Sequence, residues 1–111
     1  MTDLQSLVAS FNGARRWERF HTPKNLSMAI AIEAAELLEI FQWLTPEQAQ
    51  SVQVDSVANE LADIMIYCLS MGNAFGIDTD MAILEKIRRN KRRYPIEQFK
   101  DLDCWPEKER E

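Results

Sequence analysis

Little in this sequence can make a hairpin, a covalent bridge or a soft-metal site. Its 111 residues include only three glycines, two cysteines and one histidine. So few glycines, and no alternating β-branched runs, argue against strands, while stretches rich in Ala, Leu, Met, Glu and Gln favour helix. The expected fold is all-α. Cys68 and Cys104 are far apart and outside any zinc-type spacing, so no disulfide is expected, and Cys68, in an apolar run, should pack as a small hydrophobe. A single His21 cannot make a His-rich metal site, and any metal would be held by oxygen. No uncharged apolar run approaches the roughly 18 residues that span a bilayer, and "MTDLQSLVAS" lacks the basic start of a secretory signal. The expected location is cytoplasmic, away from membranes.

An apolar content of 46% is that of a globular chain, and the length is that of one domain. A domain over residues 1–95 is expected, with a charged tail over 96–111. "DLQSLVASFNGARRWERF" places Leu4, Leu7, Val8, Phe11 and Ala14 on one helical stripe, with Asp3 near its start as a cap. "HTPKN" interrupts the pattern at Pro23, and a second helix is expected from about Asn25 to Leu44. Thr45, Pro46 and Gln48 form an N-cap, first-turn proline and capping-box set. A long helix should cover about Val52 to Ala74 and end near Gly76, and a further one should run from Asp78 or Thr79 to the Tyr94-Pro95 step. In the tail, Phe99, Leu102 and Trp105 are expected to lie on a neighbouring surface.

Acids stand in the most apolar helices. "IEAAELLEIFQW" carries Glu33 and Glu36 in a segment that reads as buried all round, and "ELADIMIYCLSM" carries Glu60 and Asp63. Residues three apart share a helix face, so each is a carboxylate pair. An isolated E-x-x-E is usually a pair of solvated surface acids. Two such pairs in apolar helices are different, because four poorly solvated carboxylates need a counter-charge. Without His or Cys, the fitting ion is a hard cation, Mg²⁺ where phosphates complete the octahedron. Glu39 reads as an outer-shell acid or, slightly better, as a plain surface acid.

"KIRRNKRR", residues 86 to 93, holds six basic residues, and subtracting them from the net charge of −5 leaves −11 for the rest. A cationic island on an acidic chain suits a local meeting with phosphates better than wholesale nucleic-acid binding. Lys86, Asn90 and Arg93 share a helical face, with Arg89 beside them, and suit a triphosphate clamp. Trp17, His21, Trp43, Tyr67 and Tyr94 are candidate base and sugar contacts, although most aromatics in small helical proteins are core.

"WERFHTPKNL", "EAAELLEIFQW", "NELADIMIY" and "KIRRNKRRYP" together resemble the dCTP pyrophosphatase-like branch of the MazG-like, all-α NTP pyrophosphatase superfamily. The likeness runs from about Phe11 to Pro95. The resemblance implies a four-helix bundle completed by oligomerisation, as a homodimer or a dimer of dimers with sites between chains. It implies Mg²⁺-dependent hydrolysis of a nucleoside triphosphate to the monophosphate and pyrophosphate, for nucleotide-pool house-cleaning. Glu33, Glu36, Glu60 and Asp63 match its metal ligands. Trp17, His21, Trp43 and Tyr67 match its nucleoside pocket, and Lys86, Asn90, Arg93 and Tyr94 its phosphate end. Glu36, with Glu33, is the expected catalytic pair, Glu36 assisting deprotonation of the attacking water. Two departures stand out. Ile32 replaces the first acid of the E-E-x-x-E found in many relatives. Val8 stands where cytosine-preferring relatives tend to have a histidine, so a deoxynucleotide such as dCTP or modified dCTP is expected but the base stays open.

The competing reading is a non-enzymatic helical module that binds nucleic acid through residues 86–93, or serves assembly alone. Acidic surroundings of the island argue against the first, and the coincidence of carboxylate pairs against the second. Oligomerisation is expected on size as well, since so small a chain cannot bury such helices on its own.

Overall fold

The computed structural model describes residues 3–103, and every regular element among them is helical, as expected. In order, these are α1 (Asp3–Ala14), a 3₁₀ turn (Trp17–Arg19), α2 (Pro23–Phe41), α3 (Pro46–Ala49), α4 (Val54–Phe75), α5 (Thr79–Arg93) and α6 (Ile96–Phe99). The chain divides into two compact units between Thr79 and Asp80. Expectations for Cys104 and Trp105 fall outside the described residues.

In the first unit α2 packs along α4, and α1 lies on α4. Local chemistry sets most boundaries. Thr45 Oγ1 accepts from the Gln48 amide at 3.2 Å and Gln48 Oε1 accepts from the Thr45 amide at 3.0 Å, a complete capping box. At the other end of α4, Gly76 takes φ +65°, and the Ile77 amide donates to Gly72 O at 2.8 Å, a Schellman closure that a side chain would strain. The helix start at Pro23 is two residues earlier than expected. Thr22 accepts from the Asn25 amide and Pro23 occupies the first turn, so the same Thr-Pro start signal operates twice in this chain.

The first helix ends at Ala14, the last residue of its apolar stripe and short of the end of the stretch quoted for it. Arg16 adopts φ 54°, a left-handed conformation, and breaks α1 from the 3₁₀ turn. Asp3 already lies within the helix. The expected burial stripe is also only partly right. Leu4, Leu7 and Phe11 are exposed, while Gln5, Val8 and Asn12 form the buried face. The reason is hydrogen bonding across the helix pair. Gln5 Nε2 donates to Ile77 O at 2.7 Å and to Asn73 Oδ1 at 3.3 Å, and Gln5 Oε1 accepts from the Thr79 amide. Asn73 Nδ2 donates back to Gln5 O at 3.0 Å, so buried Gln5 and half-buried Asn73 bond to each other in both directions. Gly72 lets Gln5 of α1 approach this closely, since a Cβ there would lie 3.1 Å from Gln5 Nε2, as well as 2.6 Å from Thr79 Cγ2.

Burial all round was expected of α2, but its only fully buried residue is Leu26, at 1% exposure. Met28, Ile32 and Leu38 are exposed on α2, as are Val54, Leu61 and Met65 on α4. Residues 28, 32 and 35, and residues 54, 58, 61 and 65, follow helical spacing, so the two helices present apolar stripes. Cys68 is likewise an exposed free thiol, not the buried hydrophobe its surroundings suggest. No described helix is long and apolar enough to cross a membrane.

In the second unit, α5 places its half-buried positions at Lys86, Asn90 and Arg93, whereas Arg88, Arg89, Lys91 and Arg92 are exposed. Arg88 pairs with Glu85 at 3.4 Å and Lys100 with Glu97 at 3.3 Å. Tyr94 meets Phe99 edge to face at 5.1 Å, which fastens α6 to the end of α5.

Candidate metal centre

The packing of α2 on α4 brings the expected acids together. One carboxylate oxygen from each of Glu33, Glu36 and Glu60 lies within 4.8 Å of the others. Asp63, one helical turn beyond Glu60, stands outside this triad but close enough for its charge to act on both Glu33 and Glu60. Glu39 is exposed, yet its charge also reaches Glu60, which places it at the edge of the same field.

Electrostatics make the cluster costly by itself. A hydrogen bond with Glu36, then desolvation, then the charges of Glu36, Asp63 and Glu60 push the Glu33 carboxyl from 4.5 up to about 7. Glu60 is raised as well, chiefly by desolvation and then by its hydrogen bond with Glu36. Oε2 of Glu33 and Oε2 of Glu60 are buried with no hydrogen-bond partner among the described residues. Orphaned, mutually repelling carboxylate oxygens fit a hard divalent cation, which supplies the missing partner and stabilises the ionised forms together. The donor set is all oxygen, as magnesium, manganese and calcium require.

Three of the expected aromatics form one group. His21 lies 6.2 Å from Trp17 and 6.1 Å from Tyr67, centroid to centroid, and Phe11 meets Trp17 edge to face at 5.5 Å. Trp43 is not part of it. At 86% exposure it projects from the turn after α2 and makes no ring contact among the described residues. Lys86, Asn90 and Arg93 share one face of α5, as their spacing requires, and Arg93 lies over the Tyr94 ring at 5.7 Å.

One feature escaped the sequence reading. A cavity of about 360 Å³ opens beside His21, lined by Asn12, Glu18, Ser70 and Asn73 with two alanines. Its signal was available: Asn12 follows Gln5 and Val8 on one face of α1, and Ser70 and Asn73 lie three apart on α4. Polar residues on facing apolar helices mark a shared seam as clearly as acids do.

Comparison with known proteins adds a family. The model of the MazG-like family matches residues 28–107. The chain is 36% identical over 110 residues to dCTP pyrophosphatase 1 of Bos taurus, covering 94% of this chain and 64% of that protein. It is 36% identical over 100 residues to dCTP pyrophosphatase 1 of Homo sapiens, covering 86% of this chain and 59% of that protein. It thus spans less than two thirds of the length of these curated relatives. Among solved structures, a pyrophosphatase from Archaeoglobus fulgidus superposes with a TM-score of 0.76 at 37% identity, covering 84% of this chain and 90% of that one.

Proposed function

The chain belongs to the MazG-like family, and from that premise we propose that it is a nucleoside triphosphate pyrophosphohydrolase, converting a (d)NTP and water to the (d)NMP and pyrophosphate. Deoxynucleotides such as dCTP or a modified dCTP are the proposed substrates and nucleotide-pool house-cleaning the proposed role, in keeping with the dCTP pyrophosphatases it is similar to. The observation that carries the reading is the convergence of Glu33, Glu36 and Glu60 within 4.8 Å, with two of their oxygens orphaned.

Glu33, Glu36, Glu60 and Asp63 are the residues that would hold Mg²⁺. When bound, the ion supplies Lewis-acid activation of a phosphoryl oxygen and lowers the pKa of a nearby water. The protein's own groups do the rest. Glu36, beside Glu33 and Glu60 in the cluster, accepts a proton from the water that attacks the α-phosphorus. The Pα–O bond to the β-phosphate breaks, and pyrophosphate leaves. Trp17, His21 and Tyr67 offer ring faces and edges to the base and sugar, and Trp43, freely exposed, would add a further stacking face. Lys86, Asn90 and Arg93, with Tyr94, supply the phosphate contacts, and the two cations offset charge on the departing group.

The proposed working form is a homodimer or a dimer of dimers. The exposed stripes of α2 and α4 support it, since Ile32 is 56% exposed and Met65 55%, values that suit a face covered by a second copy. A panel of canonical and modified NTPs and dNTPs, assayed for pyrophosphate with and without Mg²⁺, tests the activity. Metal-dependent pyrophosphate release that is lost in a folded Glu36→Gln variant is the expected result. Full activity in that variant, or orthophosphate as the product, contradicts the assignment.

A further inference from the structure

The cations of α5 outnumber the phosphate contacts asked of them. Six Lys and Arg residues against Asp80 and Glu85 leave this helix at a net +4, on a chain whose total is −5. Lys86, Asn90 and Arg93 share one half-buried face. Arg88, Lys91 and Arg92 are turned away from it, by about 100° or more from each of those residues at 3.6 residues per turn, and all three are exposed. Arg88 pairs with Glu85 at 3.4 Å, with both side chains more than half in solvent, while Lys91 and Arg92 make no ion pair among the described residues. An exposed pair of that kind adds little to stability.

Such crowding has a cost that local chemistry only partly offsets. Arg88 lies three residues from Lys91 and four from Arg92, and like charges at those spacings repel across a helix surface. The helix dipole favours cations in the last turn, which accounts for Lys91, Arg92 and Arg93. It does not account for Arg88, which stands before that turn. A polyanionic substrate supplies the missing reason, because a chain that carries −9 outside α5 repels a triphosphate at long range. Residues 88 to 92 lie within the roughly 10 Å of helix axis that runs from Lys86 to Arg93, on a cylinder about 10–12 Å across. The Debye length is about 30 Å at 0.01 M salt and about 8 Å at physiological strength, so these charges reach the opposite face without touching it and are screened as salt rises.

We propose that Arg88, Lys91 and Arg92 form an electrostatic capture surface, which draws the anionic triphosphate towards α5 and delivers it to the Lys86, Asn90 and Arg93 face. They speed capture and take no part in the chemical step. This role rests on the nucleotide pyrophosphohydrolase reading, so the test separates the two. Magnesium-dependent pyrophosphate release from dCTP, and binding of inorganic triphosphate by calorimetry, are measured from low to physiological salt. The proteins are the wild type, the triple variant Arg88→Gln, Lys91→Gln, Arg92→Gln, and the charge-keeping double variant Arg88→Lys, Arg92→Lys. At low salt the glutamine variant should lose about ten-fold in kcat/KM and in triphosphate affinity, the lower end of electrostatic focusing, with kcat retained. That gap should narrow several-fold towards physiological salt, roughly as the Debye length shortens. The lysine variant should follow the wild type throughout. A glutamine variant that matches the wild type at low salt, or a lysine variant as impaired as the glutamine one, overturns the proposal. So does a single-stranded oligonucleotide that binds the wild type and not the glutamine variant while kcat/KM is unchanged, since the face then serves nucleic acid. Salt-dependent triphosphate binding that the glutamine variant loses, in a protein that cleaves no nucleotide, upholds the capture surface and overturns the enzymatic reading alone.

Discussion

Replacing Glu33 by Gln should make the metal-free protein more stable, which is unusual for removal of an active-site side chain. The carboxyl of Glu33 is pushed from 4.5 to about 7 by its hydrogen bond with Glu36, by desolvation and by the neighbouring charges. A raised folded-state pKa means that its favourable contribution is complete below about 4.5 and is lost as pH rises through about 7. Ionising Glu33 at pH 8 therefore costs at most about 3 kcal/mol, at roughly 1.4 kcal/mol per pH unit. Partial solvation of these acids reduces the figure to roughly 1–2 kcal/mol. Glutamine removes the charge and still offers a hydrogen bond to Glu36. Urea unfolding in EDTA at pH 8 should show Glu33→Gln more stable than wild type by that roughly 1–2 kcal/mol, with the gain vanishing near pH 4. Magnesium should reverse the order, stabilising the wild type by mass action and the variant much less. A variant less stable than wild type in EDTA at pH 8, with unchanged stabilisation by magnesium, refutes the reasoning.

Other substitutions probe the frame around the site. Gly72→Ala forces a methyl into Thr79 and Gln5, and a net loss of about 1–2 kcal/mol is expected in urea unfolding, after allowing for the better helix propensity of alanine. Arg16→Gly relieves the left-handed conformation at φ 54°, so a gain of roughly 0.5 kcal/mol is expected by the same measurement, the unfolded-state entropy of glycine offsetting part of the benefit. Met65→Glu places a charge on the exposed stripe of α4. Sedimentation equilibrium should report a smaller species than wild type, with helix content retained by circular dichroism.

The parts of this molecule legible in its sequence are those set by local chemistry. Thr45 and Gln48 announce their capping box, Gly76 its helix end, and the three-residue spacing of Glu33 with Glu36 and Glu60 with Asp63 dictates shared faces. Partner choice was harder to read. An apolar stripe says that a face will be covered, not by what, so Leu4, Leu7 and Phe11 looked like core while Gln5 and Asn12 hold α1 to α4. The start of α2 was missed for a simpler reason: Pro23 reads as a breaker until Thr22 is seen to cap it. Trp43 falls in between, since its place near the acid-bearing helix was evident but its 86% exposure was not.

Glu39 shows how far spacing alone can go. Its angular offset from Glu36 left it between surface acid and outer support, and in the structure it is both exposed and electrostatically felt by Glu60. Solvent lowers the cost of such a charge, so it can tune the field of the cluster without sharing its desolvation.

The central claim, attack at the α-phosphorus by water at the Glu33, Glu36 and Glu60 cluster, is tested most directly by running the magnesium-dependent reaction in ¹⁸O-labelled water and weighing both products. The account predicts one heavy oxygen in the nucleoside monophosphate and none in the pyrophosphate. Label in the pyrophosphate, or release of labelled orthophosphate with a diphosphate product, would contradict it.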